Sequence, residues 1–311
     1  LSEKKHRTLE IAAGYWSDEG LSARARWKHT NLFRKGRGSS FEISYTRYKQ
    51  SGRWISWWPA LFKARLVGTI RIGYDNIDED SYDKTSPNIG LGLSYSHTRR
   101  MQSSIGYVIE RARYNIKTDE RDTFDDPKGP VGYFTYRIVR DGTDDRLNPV
   151  KGTYSWLRLE YSPACEVSNS NYLLAEASGT LHVPVTSRVV IATNVHLGSG
   201  FPISPSNSLL PDKRFYPGGS TSHRGFERQR LGPLDGSGLP LGGELAMTGF
   251  VEVRFPLVWK LNGAVFLDAG QAWRTRGDFT WDNIELAAGP AVRIMTPVGP
   301  LRFDLGYKLT E

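Results

Sequence analysis

Polar and apolar residues alternate with a period of two along almost the whole chain. In Leu301-Arg302-Phe303-Asp304-Leu305-Gly306-Tyr307-Lys308-Leu309 every odd position is apolar and every even one is polar or glycine. That is the pattern of a strand with one greasy face and one wet face. Leu9, Ile11, Ala13 and Tyr15 alternate in the same way with Thr8, Glu10, Ala12 and Gly14. So do Leu21, Ala23, Ala25 and Trp27 with Ser22, Arg24, Arg26 and Lys28, and Val251, Val253, Phe255 and Leu257 with Glu252, Arg254 and Pro256. The pattern predicts fifteen strands, over 8–17, 20–32, 39–50, 52–58, 64–76, 87–99, 102–117, 129–142, 150–162, 170–185, 187–201, 244–257, 261–273, 284–297 and 300–310. No segment of useful length carries a helical period, so the expected class is all-β.

Tight connections such as Val185-Thr186-Ser187 and Arg99-Arg100-Met101 alternate with longer polar ones at Asn76–Pro87, Thr118–Lys128 and Pro163–Ser170. Short turns at one end and long loops at the other predict an antiparallel up-and-down meander. Most strands are long enough to cross the hydrocarbon when tilted, which takes about 9–11 residues. A soluble sandwich would pair its apolar faces and use Greek-key connections. In a membrane-spanning β-barrel the face with Arg24, Arg26, Lys28, Arg71, Arg158, Glu160, Arg254, Arg302 and Asp304 lines a wet interior, and the apolar face meets lipid. Trp54, Trp57, Trp58, Trp259 and Trp273, near strand ends, suit an interfacial girdle as a set, although each alone would fit core packing.

Composition sharpens this picture. The 311 residues are 39% hydrophobic and 12% aromatic, with 9 Trp, at a mean hydropathy of −0.45. Apolar runs such as Ala264-Val265-Phe266-Leu267 are far shorter than the ~20 residues a membrane-spanning helix needs. One cysteine, Cys165, excludes an internal disulfide and a cysteine-rich metal site. The net charge of +8 is spread along the chain without a basic block, which argues against a nucleic-acid arm and suits a charged lumen or anionic lipid. The chain opens Leu1-Ser2-Glu3-Lys4-Lys5-His6, without initiator Met or apolar signal segment, and reads as a mature product or a fragment.

One segment breaks the rhythm. Residues 198–243 hold ten of the 32 Gly and six of the 17 Pro, a loop too long to be structureless without being functional or disordered. At its centre stands Arg214-Phe215-Tyr216-Pro217-Gly218-Gly219-Ser220-Thr221-Ser222-His223-Arg224-Gly225-Phe226. Arg224, flanked by small residues, could present its planar fork to a carboxylate, or be an ordinary solvated surface arginine.

This stretch resembles the large extracellular loop of the BamA/TamA superfamily (bacterial surface antigen) of outer-membrane barrels, whose motif runs Gly-Gly, then Val-Arg-Gly and an aromatic. Further landmarks follow in order: Gly242-Gly243-Glu244 with Val251-Glu252-Val253-Arg254-Phe255-Pro256, Gly263 through Gly270, and Val298-Gly299-Pro300-Leu301-Arg302-Phe303-Asp304. Upstream, Gly14 through Gly20 with Asn31-Leu32-Phe33 resembles the first hairpin, and Arg140-Asp141 with Asn148 through Gly152 a periplasmic turn. The TamA branch is the nearest in flavour.

The resemblance implies a 16-stranded barrel in a bacterial or organellar outer membrane that folds and inserts other barrels. Residues 1–7 would be the tail of a preceding POTRA domain and 8–311 the barrel, with the long loop at 202–243. The loop motif would be Gly218, Gly219, His223, Arg224, Gly225 and Phe226, with Glu252 and Asp268 as lumen acids that pair with Arg224. Their parity places both acids on the inward face, where they could also simply neutralise a basic lumen. Two departures stand out: His223 replaces the family's Val, and the chain stops after its fifteenth strand. The strand at Thr8–Ser17, with Leu9, Ile11, Ala13, Gly14 and Tyr15, would form a lateral gate to which client strands add by β-augmentation. Implied partners are unfolded outer-membrane proteins, membrane lipid and lipopolysaccharide, and periplasmic or inner-membrane accessory subunits, with no nucleic acid. No nucleophile elbow, zinc-protease, Walker or Cys-x-x-Cys motif occurs, so neither an enzyme nor a cofactor or metal is expected. The rival readings are a two-partner-secretion export pore and a passive porin.

Overall fold

In this computed structural model, residues 6–32, 36–61, 65–125, 129–203, 208–258, 261–296 and 299–310 are described, with only the backbone at Met295, Gly299 and Pro300. Leu1–Lys5 of the expected POTRA tail, Phe33 of the first-hairpin landmark, Lys128, the girdle candidate Trp259, Val298 and Glu311 lie outside them.

Strands β1 Arg7–Trp16, β2 Gly20–Leu32, β3 Arg37–Tyr45, β4 Lys49–Trp58, β5 Leu66–Asp78, β6 Tyr82–Thr98, β7 Met101–Glu110, β8 Arg113–Ile116 and β9 Val131–Asp141 are followed by β10 Gly152–Ser162, β11 Tyr172–Pro184 and β12 Val190–Pro202. After the long loop come β13 Leu245–Pro256, β14 Leu261–Trp273, β15 Glu285–Thr296, β16 Gly299–Asp304 and β17 Tyr307–Lys308. β7 and β8 both pair with β6, and β16 and β17 both pair with β15. Among the described residues seventeen segments thus occupy fifteen strand positions, the number the alternation predicts. Among the described residues helix is confined to three-residue turns, and none of the described helices is long and apolar enough to cross a membrane.

The chain divides into two compact units. The first comprises 1–138, 159–173 and 202–210; the second comprises 139–158, 174–201 and 211–311. Within the first, β1 through β6 pair each with the next, antiparallel, and β6 goes on to β7 and β8. Within the second, β12 through β15 do the same and end on β16 and β17.

Burial is inverted relative to a water-soluble protein. On the apolar parity Phe41, Ile43, Leu91, Ile105, Val251, Val265 and Leu267 are exposed, whereas Glu110, Glu160, Glu252 and Asp268 are buried. Polar partners meet on the inner face: Arg26 Nε donates to Glu42 at 2.7 Å, Lys84 to Glu110 at 3.0 Å, and the Tyr172 hydroxyl to Glu160 at 2.6 Å. Carbon outward and charge inward is what a strand flanked by lipid requires, because apolar side chains cost nothing there and charges cost several kcal/mol (roughly 2–4 for a cation at mid-depth).

The structure corrects four expectations. Residues 76–87 are not a loop: β5 and β6 pair from Leu66↔Tyr95 to Asp78↔Asp83, leaving Glu79–Ser81 as the turn. The turn expected at Ser51 lies at 46–48, and Gln50 and Ser51 belong to β4, opposite Tyr45 and Ser44. Trp57 carries the inward parity, with its ring beside Lys28. Trp273 is buried at 4% exposure and covered by Phe279 at 4.9 Å, so neither Trp belongs to a girdle.

Candidate functional site

The long loop is folded rather than structureless. In the second unit Phe215 bridges to Gly243, Gly219 to His223 and Leu234 to Pro240, and Leu231 and Leu241 are fully buried. Arg214 clamps its base, donating from Nε to the Leu241 carbonyl at 3.0 Å and from Nη2 to those of Gly242 at 3.0 Å and Arg274 at 2.8 Å. Burial pulls this guanidinium's pKa down, with Tyr216 and Glu244 opposing. Gly218 takes φ +117°, where a Cβ would lie 2.4 Å from the Glu227 carbonyl oxygen, so the chain reverses there only with glycine.

The reversal delivers Arg224 to the inner face of β13 and β14. Asp268 accepts from its backbone N–H and its Nε, both at 2.8 Å, and from Nη2. Nη1 reaches Glu252 at 2.9 Å. The guanidinium lies 3.4 Å from the Phe266 ring centroid and 5.4 Å from that of Phe250. All three charged side chains are buried. The fork geometry, the stacking and the shared carboxylates together use what distinguishes arginine from lysine.

Glu252 collects further cations: Arg254 Nε at 2.7 Å, Arg293 Nη2, and Arg302 Nη2 at 3.5 Å. Arg302 also bonds Asp304. The expected residues Arg224, Glu252 and Asp268 therefore meet. Arg293 completes the cluster and was not anticipated, although its inward parity in β15, opposite Asn262, was readable from the alternation.

The motif also seats against β15 and the end of the chain. His223 is fully buried; its Nε2 donates to the Glu285 carbonyl at 3.1 Å and its ring stands edge-on to Phe226 at 5.1 Å. It thus ties the loop to β15 by a polar contact that a valine could not make. A Cβ at Gly225 would lie 2.4 Å from the Ala287 Cβ, and one at Gly306 would lie 2.2 Å from the Arg224 carbonyl oxygen. Lys308 Nζ sits 3.9 Å from the Phe226 ring centroid. The break between β16 and β17 falls where the Arg224 backbone crosses Gly306.

The gate-strand residues lie in the first unit. β1 pairs with β2 without a bulge, from Arg7↔His29 to Trp16↔Gly20. Leu9, Ile11, Ala13 and Tyr15 are exposed, as are Thr8, Glu10 and Ala12 on the opposite parity. Gly14 is half-buried beneath the Trp16 ring, 2.8 Å from where its Cβ would be. At the resembled periplasmic turn, Asp144 accepts the N–H groups of Lys151, Val150 and Asp145, all at 3.0 Å; these donors, Lys151 foremost, hold its pKa below the ordinary carboxylate value. Among the described residues no group of three or more His, Cys, Asp and Glu is placed to hold a metal.

A family model described as the Omp85 superfamily domain matches residues 30–311. The chain belongs to the Omp85 superfamily. Its similarity to the outer membrane protein assembly factor BamA of Neisseria meningitidis is 24% identity over all of this chain and 46% of that protein. To BamA of Nitratidesulfovibrio vulgaris it is 25% over 90% of this chain and 36% of the relative. A SAM50-like protein of Schizosaccharomyces pombe is 32% identical over 59% of the chain. The chain thus spans less than half the length of these relatives. Among solved structures, BamA from Haemophilus ducreyi lacking POTRA domains 1–3 superposes with a TM-score of 0.86 at 16% identity, covering 99% of this chain and 68% of that one. CdiB from Acinetobacter baumannii gives 0.60 at 14% identity, over 98% and 56%. The fold is that of the BamA barrel, all-β, antiparallel and up-and-down, and an Omp85 barrel of this kind resides in an outer membrane.

Proposed function

We propose that this chain is the membrane barrel of an outer-membrane protein assembly factor, which folds and inserts client β-barrel proteins through a lateral seam edged by β1. Preceding POTRA domains would deliver the clients, assisted by periplasmic or inner-membrane subunits, with the lipid and lipopolysaccharide around the seam as the insertion medium. The observation that carries the reading is that one chain combines a wall pinned by a buried ionic cluster with a first strand exposed on both faces. β2 occupies one edge of β1, and the other edge is where a client strand would add its N–H and C=O groups. The mechanism needs positioned backbone rather than a reacting side chain, so no catalytic or cofactor step enters it. Arg224, Asp268 and Glu252 would hold the long loop while the seam works.

The test uses the full-length protein with Cys165→Ser. A cysteine at Ile11 is expected to crosslink to the terminal strand of a stalled client, while an Ala13→Cys, Ala23→Cys pair, directly opposite across β1 and β2, serves as control. No client crosslink where the control forms removes the proposal. Depletion is expected to lower many barrel proteins together; loss of a single secreted polypeptide would replace the reading with a dedicated export pore.

A further inference from the structure

The outward face of β4 to β7 and β9 is interrupted by a groove of about 400 Å³, walled by Trp58, Leu91, Leu93, Ile105, Tyr107 and Phe134. Leu91, Leu93, Ile105 and Phe134 are exposed, and the Tyr107 and Phe134 rings lie 4.7 Å apart. Gly68 faces Leu93 across the ladder and is buried, because the Leu61 side chain lies over it, its Cδ1 2.5 Å from where a Cβ on Gly68 would stand. The groove opens to the lipid side and offers carbon on every wall, which suits a hydrocarbon chain and no polar ligand.

The strand ends next to it are cationic. Arg65 lies three residues before Gly68, about 10 Å along the strand, and Arg99 and Arg100 form the turn that follows β6; all three are exposed. Neither Pro59–Leu66 nor Ser94–Met101 contains a carboxylate. Exposed Tyr95, with His97 edge-on at 4.9 Å, lies between the groove and the Arg99-Arg100 turn, at the level where aromatic rings favour the headgroup boundary. The opposite end of these strands is acidic, with Asp78, Glu79, Asp80 and Asp83 around the β5–β6 turn. At the arginine end β9 runs out into 142–151, the segment that resembles the family's periplasmic turn, so this end is taken to face the periplasm, where the leaflet is glycerophospholipid.

We propose that this groove is a lipid site that holds one acyl chain of an anionic glycerophospholipid, with the phosphate against Arg65, Arg99 and Arg100. The basic end would draw the headgroup, and the apolar walls would hold the acyl chain beside Leu91, Ile105 and Phe134.

Native mass spectrometry of the full-length protein released from detergent, with phosphatidylglycerol, phosphatidylethanolamine or lipid A added separately, tests this. One phosphatidylglycerol is expected to survive activation that strips the other two. Two variants are compared, both checked for folding by heat-modifiable migration: R65Q/R99Q/R100Q, which removes the charge, and I105W, which fills the groove. Each arginine lost is expected to lower retention roughly fivefold, and I105W to abolish it with the arginines intact. Retention unchanged in both variants would mean annular lipid only and overturns the site. Preferential retention of lipid A overturns the assigned ligand, and retention of no lipid overturns the proposal outright.

Discussion

The first hairpin and the wall of β13 to β15 are written in the same alternation and are held in opposite ways. In the hairpin, an ion pair across β1 and β2 joins Arg26 to Glu10 at 3.7 Å, both well exposed, an arrangement worth about 0–1 kcal/mol. In the wall, Arg224 reaches two buried carboxylates, one of which is shared with three more arginines. A buried cluster of this kind adds little over an apolar core of the same volume, yet loss of one member strands the others without water. Such a wall resists partial opening, whereas a strand exposed on both faces can exchange partners. The proposed insertion role would need both properties in one chain.

The largest expected effect is in the cluster. Arg224→Ala should destabilise the second unit by about 3–5 kcal/mol, because Asp268 loses its fork and Glu252 one of its cations. Arg224→Lys should recover little, since an ammonium cannot serve two carboxylates and stack on Phe266 at once. Denaturant unfolding followed through heat-modifiable migration measures both, with loop proteolysis as a local readout. If Arg224→Ala unfolds like the parent, the cluster merely balances lumen charge.

Next comes a pair of neighbours in β1. Ile11 is 76% exposed on the apolar parity, and Ile11→Lys should cost about 2–4 kcal/mol if it meets hydrocarbon at mid-depth. Ala12 stands opposite Arg24 on the other parity, and Ala12→Glu there should be neutral or stabilising by about 0.2–1 kcal/mol. Refolding yields into lipid vesicles separate the two, and equal yields would mean that β1 does not have lipid on one face and water on the other.

Much of this contrast was legible without coordinates, for a physical reason. Lipid and lumen enforce a period of two, so the parity of Glu252 and Asp268 announced their direction. The alternation failed where that reason lapses. Residues 76–87, rich in Asp, Asn and Ser with a Pro, looked like a loop, because both faces of a strand may be polar once it leaves the hydrocarbon; the Pro87 carbonyl still accepts from the Arg111 N–H at 3.1 Å. Trp57 and Trp273 misled because an aromatic near a strand end can turn inward against a lysine or another ring. Nothing local could show that Gly225 and Gly306 are contact points, since their constraint is a neighbour far along the chain.

Those two glycines sharpen the comparison at its finest scale. Gly225→Ala would bring its Cβ to 2.4 Å from the Ala287 side chain, an overpacking that should cost about 1–3 kcal/mol. Because the obstacle is a single methyl group, Ala287→Gly should relieve most of it. A double-mutant cycle should therefore show a favourable coupling of about 0.5–3 kcal/mol. At Gly306 the obstacle is the Arg224 carbonyl oxygen, which no side-chain truncation removes, so Gly306→Ala should stay costly on any background that keeps the loop seated. The same Gly306→Ala change placed on Arg224→Ala, where the loop has lost its anchor, should become cheap. Additive energies in both cycles would mean that the loop does not seat against β15 and Gly306, and the wall would then be as open to exchange as the first hairpin.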